Sequence, residues 1–401
     1  MKRTNPQIPL FIHDCGFHSS LGKTSESIHR SLSLGRCEHM VHEDGLLNNG
    51  KPTVVGRVTE SLPSLPQSLV AFASRNNRLA LSALQQIEPS IHDAIRCYGS
   101  DRVAVIIGTS TSGISDGETA YAHKLATGQF PNDFHYSKQE LGNTSDFIRQ
   151  YFGINGPSYS ISTACSSSGR VFISAKRLLK AGVVDAVLVG GVDTICALTL
   201  NGFNSLEALS NTLCRPFDEH RNGINIGESA AFMLLSKKAP ANDDNPIALL
   251  GAGDSSDAHH ISAPHPEGEG AAQAMEKALN DAGLQPEDIG YINAHGTATP
   301  LNDRMESKAI SRVFRQSVPV SSTKPLTGHT LGAASATEAA IAWHILKHDL
   351  VLPAQHCQSK APDIEVTLVE NKTKLNGKAI LSNSFAFGGN NISLIFGTVH
   401  D

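Results

Sequence analysis

Nowhere does the chain approach the roughly 18 consecutive apolar residues that a membrane-crossing helix requires. CxxC pairs and zinc-ribbon spacings are missing as well, and the cysteines (15, 37, 97, 165, 196, 214 and 357) are odd in number. A disulfide framework is out of place in 401 such residues, so reduced thiols and a cytoplasmic location are expected. Aromatic residues are scarce at 5%, and no GxSxG elbow occurs. Gly 34 and Pro 19 are ordinary, which excludes collagen-like and low-complexity readings. No excess of positive charge is present; the formal net charge of −5 argues against a general binder of nucleic acid or anionic membrane. Lys2 and Arg3 precede an apolar stretch, Ile8–Ile12, that contains Pro9 and is too short for a signal-peptide core.

What is present is an alternation of buried strands and small-residue helices. Val103–Ile107 reads as a strand entering the turn Gly108–Gly113, and Asp185–Val189 reads as a second strand. Between them Ser166–Ala181 has a helical pattern stopped by Gly182. Apolar strands separated by helices predict a mostly parallel or mixed sheet covered on both faces. The clearest break is Lys237–Pro246, charged and without periodicity, leaving halves of residues 1–236 and 247–401. Each half contains a strand, a turn and a small-residue helix: Ser160–Ala164 leads to Cys165, and Val318–Thr323 leads to the Ala-rich Leu331–Lys347. Duplication and chance likeness both account for this.

Four stretches carry candidate chemistry. In SISTACSSSG, Cys165 stands where a strand gives way to a helix, close to the positive end of the helix dipole, which favours thiolate. Its small neighbours would let a carbonyl approach; a buried structural cysteine is the other reading. In YINAHGTATPLND (291–303) a strand is expected to end at His295, exposing the imidazole. The hydroxyls of Thr297 and Thr299 could hold a polar substrate arm, and a satisfied loop histidine is the alternative. In SSTKPLTGHTLGAASATE (321–338), His329 lies at the mouth of an Ala-rich helix, where a neutral imidazole can donate from its ring N–H. Glu338, placed among small apolar residues, calls for a buried partner, for which Lys324 is the candidate. In LSNSFAFGGNNISLIF (381–396), Phe385 and Phe387 precede Gly388-Gly389, and a backbone N–H there could form half of an oxyanion hole.

Other patterns fail. Gly16–Thr24 resembles a phosphate loop but has five residues between its glycines and no convincing helix start. His344 and His348, four apart, could bind a metal, but with Lys347 between them they read better as cations at a helix C-terminus. His259, His260 and His265 fall in a polar loop.

Taken together and in this order, TACSSS, NAHGTATPLND, STKPLTGHTLGAASATE and NSFAFGGNN resemble the β-ketoacyl-[acyl-carrier-protein] synthases, the condensing enzymes of the thiolase fold. PFDEHRNGINIGESAAFMLL (216–235) extends the resemblance over nearly the whole chain. It implies an α/β, five-layered αβαβα fold of two pseudo-duplicated halves, the first with the nucleophile and the second with both histidines. It implies a Cys-His-His site of Cys165, His295 and His329, supported by Lys324 and Glu338. Backbone N–H groups of Cys165 and Phe387 would form the oxyanion hole, and Phe387 would gate the acyl pocket. Thr297 and Thr299 would hold the pantetheine arm, Phe385 would contact substrate, and Thr111 in GTSTSG would floor the acyl pocket, leaving room for a long or conjugated chain. Arg75 and Arg78, three apart on a helix, match the family's carrier-docking stretch. The implied partners are acyl carrier protein and a second ketosynthase-like chain, either a homodimer or a heterodimer with a chain-length factor; no metal or organic cofactor is implied. NGINIGESA, TPLND and GGNN depart from the housekeeping enzymes and look more like synthases of aryl-polyene or other specialised pathways. A non-catalytic chain-length-determining subunit is the alternative, set against the retained Cys165. The thiolases' second cysteine, in a CxG context, is not matched by Cys357, which Gln358 and Ser359 follow.

Overall fold

A computed structural model describes residues 9–241, 243–314 and 318–399; Lys2, Arg3 and Ile8 lie outside them. Eleven strands form one large sheet, numbered along the chain: β1 Leu10–Ser19, β2 Val103–Gly108, β3 Ser158–Ile161, β4 Ala186–Asp193, β5 Ser229–Ser236, β6 Ile247–Ser256, β7 Ile289–Asn293, β8 Pro319–Ser321, β9 Thr367–Leu368, β10 Ala379–Phe385 and β11 Asn390–Thr398. Their order is β9-β8-β7-β10-β11-β6-β1-β5-β4-β2-β3.

That order contains a repetition. Outward from the middle, β1-β5-β4-β2-β3 is matched by β6-β11-β10-β7-β8. The directions match too: β1–β5, β5–β4, β6–β11 and β11–β10 are antiparallel, while β4–β2, β2–β3, β10–β7 and β7–β8 are parallel. The two arrays join where β1 meets β6 antiparallel, Leu10 opposite Leu249 and Phe11 opposite Ala248. Parallel strands need crossovers, and each half supplies one through an inner helix. Ser167–Lys180 follows β3 and Ala334–His348 follows β8; these helices pack on one another and on strands of both halves. Arg75–Leu84 and Asn143–Phe152 cover the outer face of one half, and Glu269–Ala282 with Pro300–Phe314 cover that of the other. The layers are therefore helix, sheet, helix, sheet, helix, a thiolase-like fold of two similar halves. Sandwiched between apolar sheets, the helix Ala334–His348 is buried on nearly every side as far as Leu346, as its Ala-rich composition requires, while Ser167–Lys180 buries one face and exposes Arg177 and Lys180.

The strand before His295 ends at Asn293, two residues short of the expected point. Gly16 lies within β1, and a helix does follow, Ser25–Leu34, capped by Thr24 accepting the Ser27 N–H. The glycines remain wrongly spaced for phosphate. His344 is buried rather than a C-terminal cation, and burial depresses its pKa to about 3. No helix among the described residues is long and apolar enough to cross a membrane.

Candidate active site

The site forms where the two inner helices begin. After β3 the chain turns through Ala164, a non-glycine residue at φ 52°, and the Ser167 hydroxyl accepts the Thr163 N–H. This places Cys165 just ahead of the Ser167–Lys180 helix, facing inward. On the other side, a short strand Ile226–Gly227 clamps the segment before the Ala334–His348 helix: His329 N–H donates to Asn225 O and Gly227 N–H donates to His329 O. Only glycine fits at 227, since a Cβ there would lie 1.9 Å from Thr327 O.

His329 Nε2 lies 3.0 Å from Cys165 Sγ. Its Nδ1 accepts the Leu331 N–H at 3.0 Å, so the neutral ring carries its proton on Nε2, the nitrogen that faces sulfur. The His295 ring stands perpendicular to that of His329, with centroids 5.3 Å apart, and Phe385 lies against it. His295 is held through its backbone: its own N–H and that of Gly296 donate to the two carboxylate oxygens of Glu306 at 2.8 and 2.7 Å. The His295 Nδ1 is buried without a hydrogen-bond partner. Lys324 Nζ meets Glu338 Oε1 at 2.6 Å, both buried, and Ser384 donates to the other oxygen of Glu338.

Electrostatically, Cys165 and the two imidazoles are neutral at rest. Burial raises the Cys165 thiol to about 11, against the Lys324 charge and the backbone N–H groups of Phe387 and Cys165, which act the other way. The thiolate expected from the helix dipole is therefore not the resting form; desolvation exceeds the dipole here. Burial, then Lys324, holds both imidazoles well below their ordinary pKa, so both stay neutral N–H donors.

Cys165, His295 and His329 line a cavity of about 420 Å³, joined by Thr297, Thr299, Phe385, Phe387, Phe203 and Leu206. Thr297 and Thr299 hydroxyls lie 2.8 Å apart on its wall. Phe387, over a third exposed, rests against Phe203 at the opening, and Gly388 and Gly389 behind it have φ of 82° and 77°. A Cβ at Gly389 would lie 2.3 Å from Asp257 O.

Three further expected residues do not line the cavity. Thr111 is fully buried, its N–H and hydroxyl both donating to Asp193 Oδ1, and does not line the cavity. Arg75 is paired with the buried carboxylate of Glu228, with Nε 3.0 Å from Oε2. Arg78 donates to the backbone oxygens of Pro63 and Leu62. Both guanidinium groups are thus committed within the chain. Cys357 is partly buried beside Asp218 and is not among the cavity-lining residues.

Sequence alone does not single out Asp303 and Glu306, one turn apart on the helix Pro300–Phe314. Asp303 accepts the N–H groups of Phe217 and Ala298, and Glu306 fixes His295 and Gly296. Burial pushes them up to about 6 and about 7. Two carboxylates at i and i+3 on a helix just after a candidate histidine were the available signal.

Comparison with known proteins agrees with this geometry. Residues 55–241 match the model of the beta-ketoacyl synthase N-terminal domain, and residues 248–358 that of the C-terminal domain. The chain is 34% identical over 341 residues to 3-oxoacyl-[acyl-carrier-protein] synthase 2 of Staphylococcus aureus strain N315, covering 81% of this chain and 82% of that protein. It is 31% identical to nodulation protein E of Rhizobium meliloti, covering 87% and 89%. Among solved structures it superposes with TM-score 0.93 and 46% identity on a chain of the complex of ketosynthase ApeO with its chain length factor ApeC from Xenorhabdus doucetiae, covering 99% of this chain and all of that one.

Proposed function

The chain belongs to the beta-ketoacyl synthase family, and we propose that its site joins an acyl group to a malonyl-derived unit on acyl carrier protein in two stages. In the first, the Cys165 thiol gives up its proton and the sulfur attacks the thioester carbonyl of an acyl carrier protein. The oxyanion accepts from the N–H groups of Cys165 and Phe387. The carrier's C–S bond breaks, its sulfur takes the proton, and the acyl group stays on Cys165. In the second, the bond between the malonyl carboxylate and its neighbouring carbon breaks, CO2 leaves, and the electron pair moves to an enolate held by the N–H donors of His295 and His329. The enolate carbon attacks the acyl carbonyl, Cys165 departs as thiolate, and a 3-oxoacyl carrier protein remains.

The observation that carries this reading is the fixed tautomer of His329, whose Nε2–H faces the cavity and sulfur together with a second neutral imidazole. One imidazole would serve a simple acyl transfer; a pair of neutral donors fits an enolate oxygen. Thr297 and Thr299 would bind the pantetheine arm, Phe385 would contact the substrate and Phe387 would gate the opening. Lys324 with Glu338 would orient and keep neutral the two imidazoles. The halves carrying these parts would be 1–236 and 247–401. The 46% identity to one chain of a ketosynthase–chain length factor complex supports a chain-length-factor partner, and the departures NGINIGESA, TPLND and GGNN support a specialised, aryl-polyene-type product.

The test is intact mass after incubation with acyl carrier protein. The native chain should gain an acyl adduct that malonyl carrier protein discharges; Cys165→Ala should gain none. An adduct that malonyl carrier cannot discharge would overturn the condensation step. A strict limit to short acyl chains would overturn the polyene assignment alone.

A further inference from the structure

Far from the cavity-lining residues, three histidines converge where the inner helix Ala334–His348 ends. His344 and His348 occupy one face at i and i+4, and His29 comes from the helix Ser25–Leu34. Each offers one ligating atom, and all three atoms lie within 4.8 Å of one another. His29 Nε2 and His344 Nδ1 are 3.2 Å apart. Two imidazole nitrogens on a tetrahedral Zn2+, each about 2.05 Å from the metal, are separated by about 3.3 Å. Trp343 stands edge-on to both His344 and His348, with ring centroids 5.1 and 5.9 Å away.

We propose that His29, His344 and His348 form a metal site for a borderline divalent transition ion such as Zn2+, with its fourth position open to water. Three imidazoles and no thiolate or carboxylate among the clustered ligands suit Zn2+, Co2+ or Ni2+ rather than Mg2+ or Ca2+. The His29–His344 contact holds one proton between two ring nitrogens. On metal binding that proton leaves the shared edge, and its ring takes the other tautomer. The ion would brace the Ser25–Leu34 helix against the far end of the helix that carries Glu338, a structural tie distinct from the chemistry at Cys165.

The cavity trio of Cys165, His295 and His329 could also hold a metal, so the test uses Cys165→Ser protein stripped with chelator. Titration with Co2+ should give one saturable equivalent showing the visible bands of four-coordinate cobalt, displaced by Zn2+, and Zn2+ should raise Tm. His29→Gln and His348→Gln, both at positions reached by solvent, should each weaken uptake roughly tenfold or more. Their circular dichroism and metal-free Tm verify folding. No saturable Co2+ uptake, or uptake unchanged in both variants, would overturn the site and would leave the condensing reaction untouched.

Discussion

Lys324 Nζ sits 2.6 Å from Glu338 Oε1 with both side chains almost wholly out of solvent, and the same ammonium adds to the burial that depresses the His295 and His329 pKa values. Removing one member leaves the other charge buried and alone. Lys324→Met or Glu338→Leu should each cost about 3–5 kcal/mol in urea unfolding, and the double variant should cost less than either. The pH dependence gives a second readout. Without Lys324, one cause of the low imidazole pKa is gone, so both values rise and protonation begins at higher pH. A protonated His329 would turn Nδ1–H against the Leu331 N–H it now accepts. The acid limb of malonyl decarboxylation should therefore move to higher pH in Lys324→Met; a limb that stays in place would remove Lys324 from this role.

His329→Ala deletes an N–H donor at the enolate oxygen. Loss of one such donor typically lowers kcat about 100–1000-fold. Decarboxylation should fall by that order, while acyl transfer to Cys165, served by backbone N–H groups, should fall less. Equal losses in both half-reactions, measured separately by CO2 release and adduct formation, would contradict the division of labour.

Arg75 should matter for stability. Glu228 is fully buried and accepts from Arg75 and from the Val58 N–H. Arg75→Ala should destabilise by about 3 kcal/mol, and adding Glu228→Gln should recover part of that loss. If Arg75→Ala instead raises the KM for carrier protein with Tm unchanged, Arg75 serves carrier docking rather than stability.

Glu306 titrates at about 7 in the folded chain and near its ordinary value of 4.5 when unfolded. The folded state therefore holds the proton more tightly. This stabilisation is complete below about pH 4.5 and is lost as pH rises through about 7. Glu306→Gln, which cannot satisfy both the His295 and Gly296 N–H groups, should be less stable than wild type. The Tm gap should narrow between pH 5 and pH 8, because only wild type loses the Glu306 contribution over that interval. A constant gap would count against a protonated Glu306.

Residues whose chemistry is set by their own stretch of chain were readable in advance. Cys165, His295, His329 and the Lys324–Glu338 pair each stand in a local motif, and the fold brings them together. Residues whose surroundings come from distant chain were not. Arg75 and Arg78 do share a helix, but Glu228 claims one and the backbone at Leu62 and Pro63 claims the other. Thr111 follows a strand as expected, yet Asp193 on β4 draws its hydroxyl into the interior. The acidity of Cys165 is not legible for a related reason: a helix end is visible in sequence, whereas the depth of burial that outweighs it is not.

Among the described residues the two strand arrays meet along β1 and β6 only at Leu10–Leu249 and Phe11–Ala248, while the inner helices interlock across that seam. A polypeptide cleaved between Ser236 and Ile247 would therefore yield one fragment bearing the sulfur and another bearing both rings, each mute by itself. Mixing them would restore turnover only as the buried helices re-dock, making the condensation a reporter of the fold's own reassembly.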